Sequence, residues 1–201
     1  DKGNILKASS HGEYLADGSS PTYKYIVTQN QSYSDLAHRR AIFMVNNEFF
    51  VIVDEAIGKA SSPVNIHFHL CADIGGLGLN VVEIDDASSS YCYGAHTVFA
   101  DGNNMMFKTF CFAGEKGRVP AEDFTPSTGT SYTSSDINRK TEREYYRTAV
   151  AIGGTNTPVR FITVIYPIEN YSSAPAVSAA FGSSASEVVV TIDGKSRTLS
   201  Y

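Results

Sequence analysis

Apolar residues recur along the chain in short runs, not at helical spacing. No stretch of a dozen residues or more places them at i, i+3, i+4 and i+7. The runs are instead rich in Val, Ile, Thr, Tyr and Phe and are bounded by Gly, Asn, Asp, Ser and Pro, the pattern of strands and turns. They predict strands over 23–28, 37–45, 48–57, 64–70, 79–84, 92–100, 104–112, 142–152, 159–166, 187–192 and 196–201. Asn46-Asn47 and Asp101-Gly102-Asn103 supply residues that tolerate the left-handed backbone of a hairpin turn, and Asp193-Gly194 is the clearest such turn. The pattern also predicts a hairpin of 142–152 with 159–166 around Gly153-Gly154.

Two runs do not alternate. Ala41-Ile42-Phe43-Met44-Val45 and Phe49-Phe50-Val51-Ile52-Val53 are apolar at consecutive positions, and 161–166 has the same character. A strand with one wet face alternates, so these are expected to be central strands covered on both faces. The expectation is an all-β fold: one large antiparallel β-sandwich over residues 1–201, open to more than two layers and without substantial helix. The Ser/Thr/Gly-rich stretch 127–136 reads as a flexible loop, and strand signals of the same kind resume after it.

Composition changes this picture little. Apolar residues make up 42% and charged residues 18%, an ordinary globular balance, and 12 Tyr and 11 Phe suit a pleated, half-buried surface. The formal charge of −5 argues against nucleic acid as a partner, because a polyanion-binding surface needs a positive field. No run reaches the length of a membrane-spanning helix. Cys71, Cys92 and Cys111 lie in separate strand-like segments with no CxxC spacing, so buried thiols are the main reading and a single bridge the other.

Candidate chemistry is sparse. His67 and His69 stand at i and i+2 of one strand and so share a face, a spacing that suits one zinc ion if a third ligand such as His96 or a carboxylate joins them. The other reading is a pair of hydrogen-bonded histidines on a partly buried strand. Arg39 and Arg40 point to opposite faces and are expected to pair with Asp54 or Glu55 across the hairpin. If 142–147 is extended, Arg143, Tyr145 and Arg147 form an Arg-Tyr-Arg row suited to sulfate or carboxylate oxygens, with the ring stacking on a sugar; cross-strand pairing with acids is the alternative. Asp101-Gly102-Asn103-Asn104 lacks the further oxygen ligands of a calcium loop. Gly75-Gly76-Leu77-Gly78 lacks the Lys-Ser/Thr of a phosphate loop, and no GxSxG element occurs.

Ordered stretches resemble the C-terminal region of heparinase III-type lyases of the heparinase II/III family. They are Asn30-Gln31-Ser32-Tyr33-Ser34-Asp35-Leu36-Ala37-His38-Arg39-Arg40, Asn46-Asn47-Glu48-Phe49-Phe50-Val51-Ile52-Val53-Asp54, Val64-Asn65-Ile66-His67-Phe68-His69-Leu70, Asp101-Gly102-Asn103-Asn104-Met105, Val159-Arg160-Phe161-Ile162-Thr163-Val164-Ile165-Tyr166-Pro167, and the terminal hairpin around Asp193-Gly194-Lys195. The resemblance implies the C-terminal β-sandwich of a longer bacterial enzyme with an N-terminal helical toroid. That enzyme cleaves a uronic-acid glycosaminoglycan, heparin or heparan sulfate, by β-elimination in the periplasm or outside the cell. It further implies a catalytic Asn and Tyr in the toroid, a His in a His-Gly-His motif early in the β region, and a divalent metal in the parent enzyme. None of these maps here: there is no toroid, and His11-Gly12-Glu13 is not that motif. Accordingly no catalytic residue and no cofactor is carried over, and the expected partners are an acidic polysaccharide and the parent's own toroid. A non-catalytic carbohydrate-binding or cell-surface sandwich module is the competing reading.

Overall fold

The computed structural model describes residues 12–31, 36–58, 64–69, 81–84, 92–113, 117–118, 129–133, 136–143, 145–150 and 159–201. Its largest element is a nine-stranded antiparallel sheet. In chain order its strands are β1 (Glu13–Ser19), β2 (Tyr23–Asn30), β3 (Leu36–Val45), β4 (Phe49–Gly58), β6 (Val81–Ile84), β7 (Cys92–Thr97), β8 (Asn104–Ala113), β9 (Gly117–Arg118) and β13 (Val159–Ile168). The spatial order is β1-β2-β3-β4-β13-β8-β7-β6, with β9 paired to the end of β8. Three smaller units complete the fold: β5 (Val64–His69) with β12 (Tyr145–Val150), β10 (Gly129–Thr133) with β11 (Asp136–Arg143), and the three-stranded sheet β14 (Val177–Phe181), β15 (Glu187–Ile192), β16 (Lys195–Ser200). Among the described residues the one helical element is a 3-10 turn at Tyr171–Ser173, capped by the Asn170 side chain, which accepts from Ser173 N.

The apolar runs explain the layers. Phe43, Val45, Phe49, Val51, Val53, Ile162 and Val164 all point to one face of the large sheet, where the β14–β16 sheet meets them through Val188, Val190 and Leu199. This core is closed to solvent: Phe43, Val45, Val51, Ile162, Val164, Val188 and Val190 are fully buried. On the opposite face, Ile66 of β5 packs against Ala56, Cys111, Val159 and Phe161, and Phe68 packs against Ala95 and Phe107. The large sheet is therefore the middle of three layers, the arrangement that consecutive apolar positions require.

Turn residues perform as their types predict. Asn46 and Asn47 take φ of 51° and 58° between β3 and β4, and Asp193 and Gly194 take 47° and 76° between β15 and β16. Two left-handed residues in succession match the right-handed twist of the flanking strands. Asp101-Gly102-Asn103 is a turn and not a cation loop. The Asp101 carboxylate accepts from Asn103 N at 3.0 Å and from the Asn103 side chain at 2.9 Å, and these bonds hold its pKa below the usual carboxylate range. Buried Asn104 fastens the hairpin by accepting from Thr97 Oγ1 and Phe99 N and donating to the Phe99 and Glu169 carbonyls.

The structure corrects three expectations. Residues 145–150 do not form a hairpin with β13: β12 pairs with β5, whereas β13 lies between β4 and β8, and Gly153-Gly154 lies outside the described residues. Strand pairing is set by which faces must be covered, and local turn chemistry does not report it. The stretch read as a loop, 127–136, contains β10, paired to β11 from Gly129↔Arg143 to Tyr132↔Lys140. There the β-propensity of Thr130, Tyr132 and Thr133 overrides the Ser/Gly turn signal; residues 127, 128, 134 and 135 lie outside the described residues. Lastly, the double cover expected of β3 and β4 is complete on one face only, since Phe50 is 39% exposed. Of the cysteines, Cys111 is a buried thiol. Cys71 lies outside the described residues, and Cys92 is described through its backbone in β7.

Candidate functional site

The register places the two sequence-predicted site groups on one ladder. Tyr145 is the register partner of His69, and Arg147 that of His67, in the β12–β5 pair. Arg143 does not join them, because it ends β11 opposite Gly129 on a different ladder. The continuous row Arg143, Tyr145, Arg147 is thus divided at the β11–β12 junction, and its second half meets the histidines. The side chains of these five residues lie outside the described set, so the placement is one of backbone register.

His96, the suggested third metal ligand, is on the other side of the sheet. Its neighbour Ala95 faces Phe68 of β5, and alternation turns His96 away. Its ring stacks on Tyr171 at 4.5 Å with 4° between planes, and its Nδ1 is 3.0 Å from the Thr97 carbonyl. Among the described residues no three His, Cys, Asp or Glu side chains converge on one point. The buried carboxylates Asp54 and Glu55 are already committed to cations. His96 is therefore not the third ligand of His67 and His69, whose own side chains lie outside the described residues.

Those two carboxylates organise the polar interior. Adjacent on β4, they project to opposite faces, and each collects the β3 cation on its own side. On the β5 side, Asp54 accepts from His38 Nε2 at 2.6 Å and from Arg40 Nε and Nη2 at 2.6 and 3.1 Å. The Arg40 guanidinium also lies 5.6 Å from the centroid of the Phe68 ring. On the other face, Glu55 accepts from Arg39 Nε at 2.5 Å, Arg160 Nε at 2.8 Å and the Tyr201 hydroxyl at 3.3 Å. Both arginines of the predicted pairing thus find acids, one each.

Arg160 is the functional-looking residue that sequence reasoning passed over. It is 2% exposed. Its Nη2 donates to the Ala185 carbonyl and, at 3.2 Å, to the Tyr201 hydroxyl. Its Cζ stands 3.4 Å over the centre of the Phe181 ring, and its Nη1 has no hydrogen-bond partner. Ala185, Tyr201 and Phe181 belong to the three-stranded sheet and its connections, so Arg160 and Glu55 lock that layer onto the middle one. The available signal was a charge at an inward position of an otherwise apolar strand, with an opposite charge on a second such strand.

Burial raises the pKa of the Tyr201 phenol above its ordinary value; the Glu55 charge adds to this, and Arg160 and Arg39 offset it in part. The folded protein thus holds the phenolic proton more tightly than the unfolded chain. This contribution is complete below the ordinary phenol pKa of about 10 and is lost as pH rises through and above that value. Unfolding midpoints measured from about pH 8 to about pH 11 should fall less steeply for Tyr201→Phe than for the native chain. Parallel slopes would show that the phenol has no part in the alkaline transition.

The sequence and the fold both match known proteins. The heparinase II/III-like C-terminal family matches residues 7–180. The chain belongs to that family. It is 34% identical over 205 residues to a heparin-sulfate lyase of Bacteroides thetaiotaomicron, an alignment that takes in 100% of this chain and 26% of that protein. A heparin-sulfate lyase of Bacteroides stercoris is 31% identical over 183 residues, covering 88% of this chain and 24% of its own. The crystal structure of a heparinase III superposes with a TM-score of 0.72 at 32% identity, covering 94% of this chain and 27% of that one. The chain thus spans about a quarter of the length of the relatives it matches.

Proposed function

We propose that the chain is the C-terminal β-sandwich of a polysaccharide lyase that cleaves a uronic-acid glycosaminoglycan, heparan sulfate first, by β-elimination. The observation that carries this reading is the family match over residues 7–180, joined to relatives named as heparin-sulfate lyases. In the reaction a base removes the C5 proton of the uronate, the C4–O bond breaks, a C4–C5 double bond forms, and an acid protonates the leaving glycosidic oxygen. The C5 proton becomes acidic enough only when the neighbouring carboxylate is neutralised by donors aimed at it. Among the described residues Asp54 and Glu55 are both buried and salt-bridged. Neither is available as a base; on this reading, which follows the family resemblance, the proton-transfer groups belong to the longer chain. No step through a metal is assigned to this chain. The parent protein acts outside the cytoplasm, in the periplasm or beyond the cell, where such a polymer is met.

Within this reading Tyr145 and Arg147 on β12, with Arg143 at the end of β11, contact the sulfate or carboxylate groups of the polymer. The test is turnover of heparan sulfate followed by the absorbance of the unsaturated uronate. The 201-residue chain is expected to be inactive and the full-length gene product active. Arg143→Ala/Arg147→Ala in the full-length protein is expected to raise KM with kcat little changed, the signature of lost uniform binding. Retention of the polymer by a full-length protein that leaves no double bond would support a binding module in place of a lyase.

A further inference from the structure

The side of the middle sheet turned away from β5 and β12 carries an aromatic ring that has no part in the core. Tyr171, in the 3-10 turn after β13, is 38% exposed. One face of its ring lies flat against His96, with 4.5 Å between centroids and 4° between planes. The exposure therefore belongs to the other face and the outer edge. The face of an aromatic ring carries negative partial charge. A pyranose presents the complement, a patch of C–H bonds with hydroxyls at its perimeter.

The ring is fixed before any ligand arrives. His96 is buried, and its Nδ1 lies 3.0 Å from the Thr97 carbonyl. The turn that carries Tyr171 is closed by Asn170, whose side chain accepts from Ser173 N at 3.1 Å, and by Ala174 N, which donates to the Tyr171 carbonyl at 3.1 Å. Buried Asn104 donates to the Glu169 carbonyl at 2.8 Å and so ties this segment to the β7–β8 turn. A ring already held in place loses little freedom on binding, which favours affinity.

Charge at the rim selects the ligand. Glu169 is exposed two residues before Tyr171, and a Cβ on Gly102 would lie 3.4 Å from the Glu169 Cγ. The Asp101 turn thus stands beside it. Asp101 is exposed as well, and its bonds from Asn103 favour the ionised form. These carboxylates accept from sugar hydroxyls and amide N–H groups and repel sulfate. Val98, 42% exposed and two residues on from His96, adds an apolar contact suited to an acetyl methyl.

We propose that Tyr171, with Glu169 and Asp101 at its rim, is a second carbohydrate-binding site that stacks on the non-sulfated, N-acetylated sugars of the polymer. The choice of polymer rests on the reading given above; the platform itself does not. It is separate from the contact assigned to Tyr145 and Arg147, because β12 pairs with β5 and β5 covers the opposite face of the middle sheet. Two sites on one protein strengthen the hold on a long polymer through effective concentration.

Affinity electrophoresis of the full-length gene product tests this, run in the cold through gels that hold a polymer of alternating glucuronate and N-acetylglucosamine without sulfate. The native protein should be slowed. Tyr171→Ala should lose about tenfold in affinity, and Tyr171→Phe, which keeps the ring, should match the native protein. In gels that hold heparin, native and Tyr171→Ala should migrate alike, which also shows that the variant is folded. Equal mobility of native and Tyr171→Ala in the non-sulfated gel would overturn the proposal. So would a loss in Tyr171→Phe, which puts the effect in the hydroxyl and not in the ring face, or a dependence on Tyr171 seen in heparin alone, which reverses the ligand class. Heparan sulfate turnover by the same samples separates the two levels. Turnover with mobility indifferent to Tyr171 rejects the platform and keeps the lyase; retardation that depends on Tyr171 without turnover keeps the platform and rejects the lyase.

Discussion

Glu55→Gln is expected to cost about 3–5 kcal/mol of stability, the range for breaking a buried ion pair by removing one partner. The amide keeps the shape of the carboxylate, so the loss is electrostatic. Arg160 is left at 2% exposure with its charge uncompensated, and a guanidinium does not escape by deprotonating. Arg39 suffers less because its side chain is one third exposed and turns to water. The deficit should appear as a lower urea midpoint with little change in slope, since the surface exposed on unfolding is unchanged. For a chain of this size it should lower Tm by about 2–4 °C per kcal/mol. The paired change Glu55→Leu/Arg160→Met should recover most of the loss, because replacing both members of a buried pair with packed apolar groups is often neutral or better. A Glu55→Gln loss below about 1 kcal/mol would place the pair among solvent-screened surface bridges and end its role as the lock between two layers.

That lock marks the boundary of what the residue pattern conveys. The strands β3, β4, β8 and the β15–β16 hairpin are plain in the sequence, because unbroken apolar runs and the Asn46-Asn47, Asp101-Gly102-Asn103 and Asp193-Gly194 turns each carry a local physical requirement. β1 escaped notice because Glu13–Ser19 is an edge strand with a polar sequence. Its Gly18 accommodates the Tyr25 ring, which lies 2.6 Å from where a Cβ would stand. β14 is short and small-residue-rich, and its strand character comes from its neighbour β15. Cross-strand partners within a hairpin, Arg39 with Glu55 and Arg40 with Asp54, follow from counting back from the turn. Arg160 with Glu55 does not, because the pairing of β13 with β4 joins segments a hundred residues apart and no local residue encodes that choice. The meeting of Tyr145 and Arg147 with His69 and His67 is of the same long-range kind. Membership of the family was legible because it rests on ordered local motifs. The groups that perform the proposed elimination were not, because their natural place is in the part of the relatives that this chain does not span.

Phe43→Ala is the second large effect, expected at about 3–5 kcal/mol. Phe43 is 0% exposed at the centre of the core between the middle sheet and the β14–β16 sheet. Its ring meets Tyr23 at 5.6 Å and Tyr201 at 5.8 Å edge-on, and Tyr25 at 5.7 Å in a tilted contact. Truncation removes the transfer energy of the ring and leaves a cavity. Its walls are strands held by ladder hydrogen bonds on both sides, so they cannot collapse to fill it. The same substitution at Phe50, one turn of chain away but 39% exposed on the opposite face, should cost the 201-residue chain less than half as much, since no closed cavity forms there. Urea unfolding of the two variants side by side checks the contrast. Equal losses would mean that the second face is as tightly packed as the first.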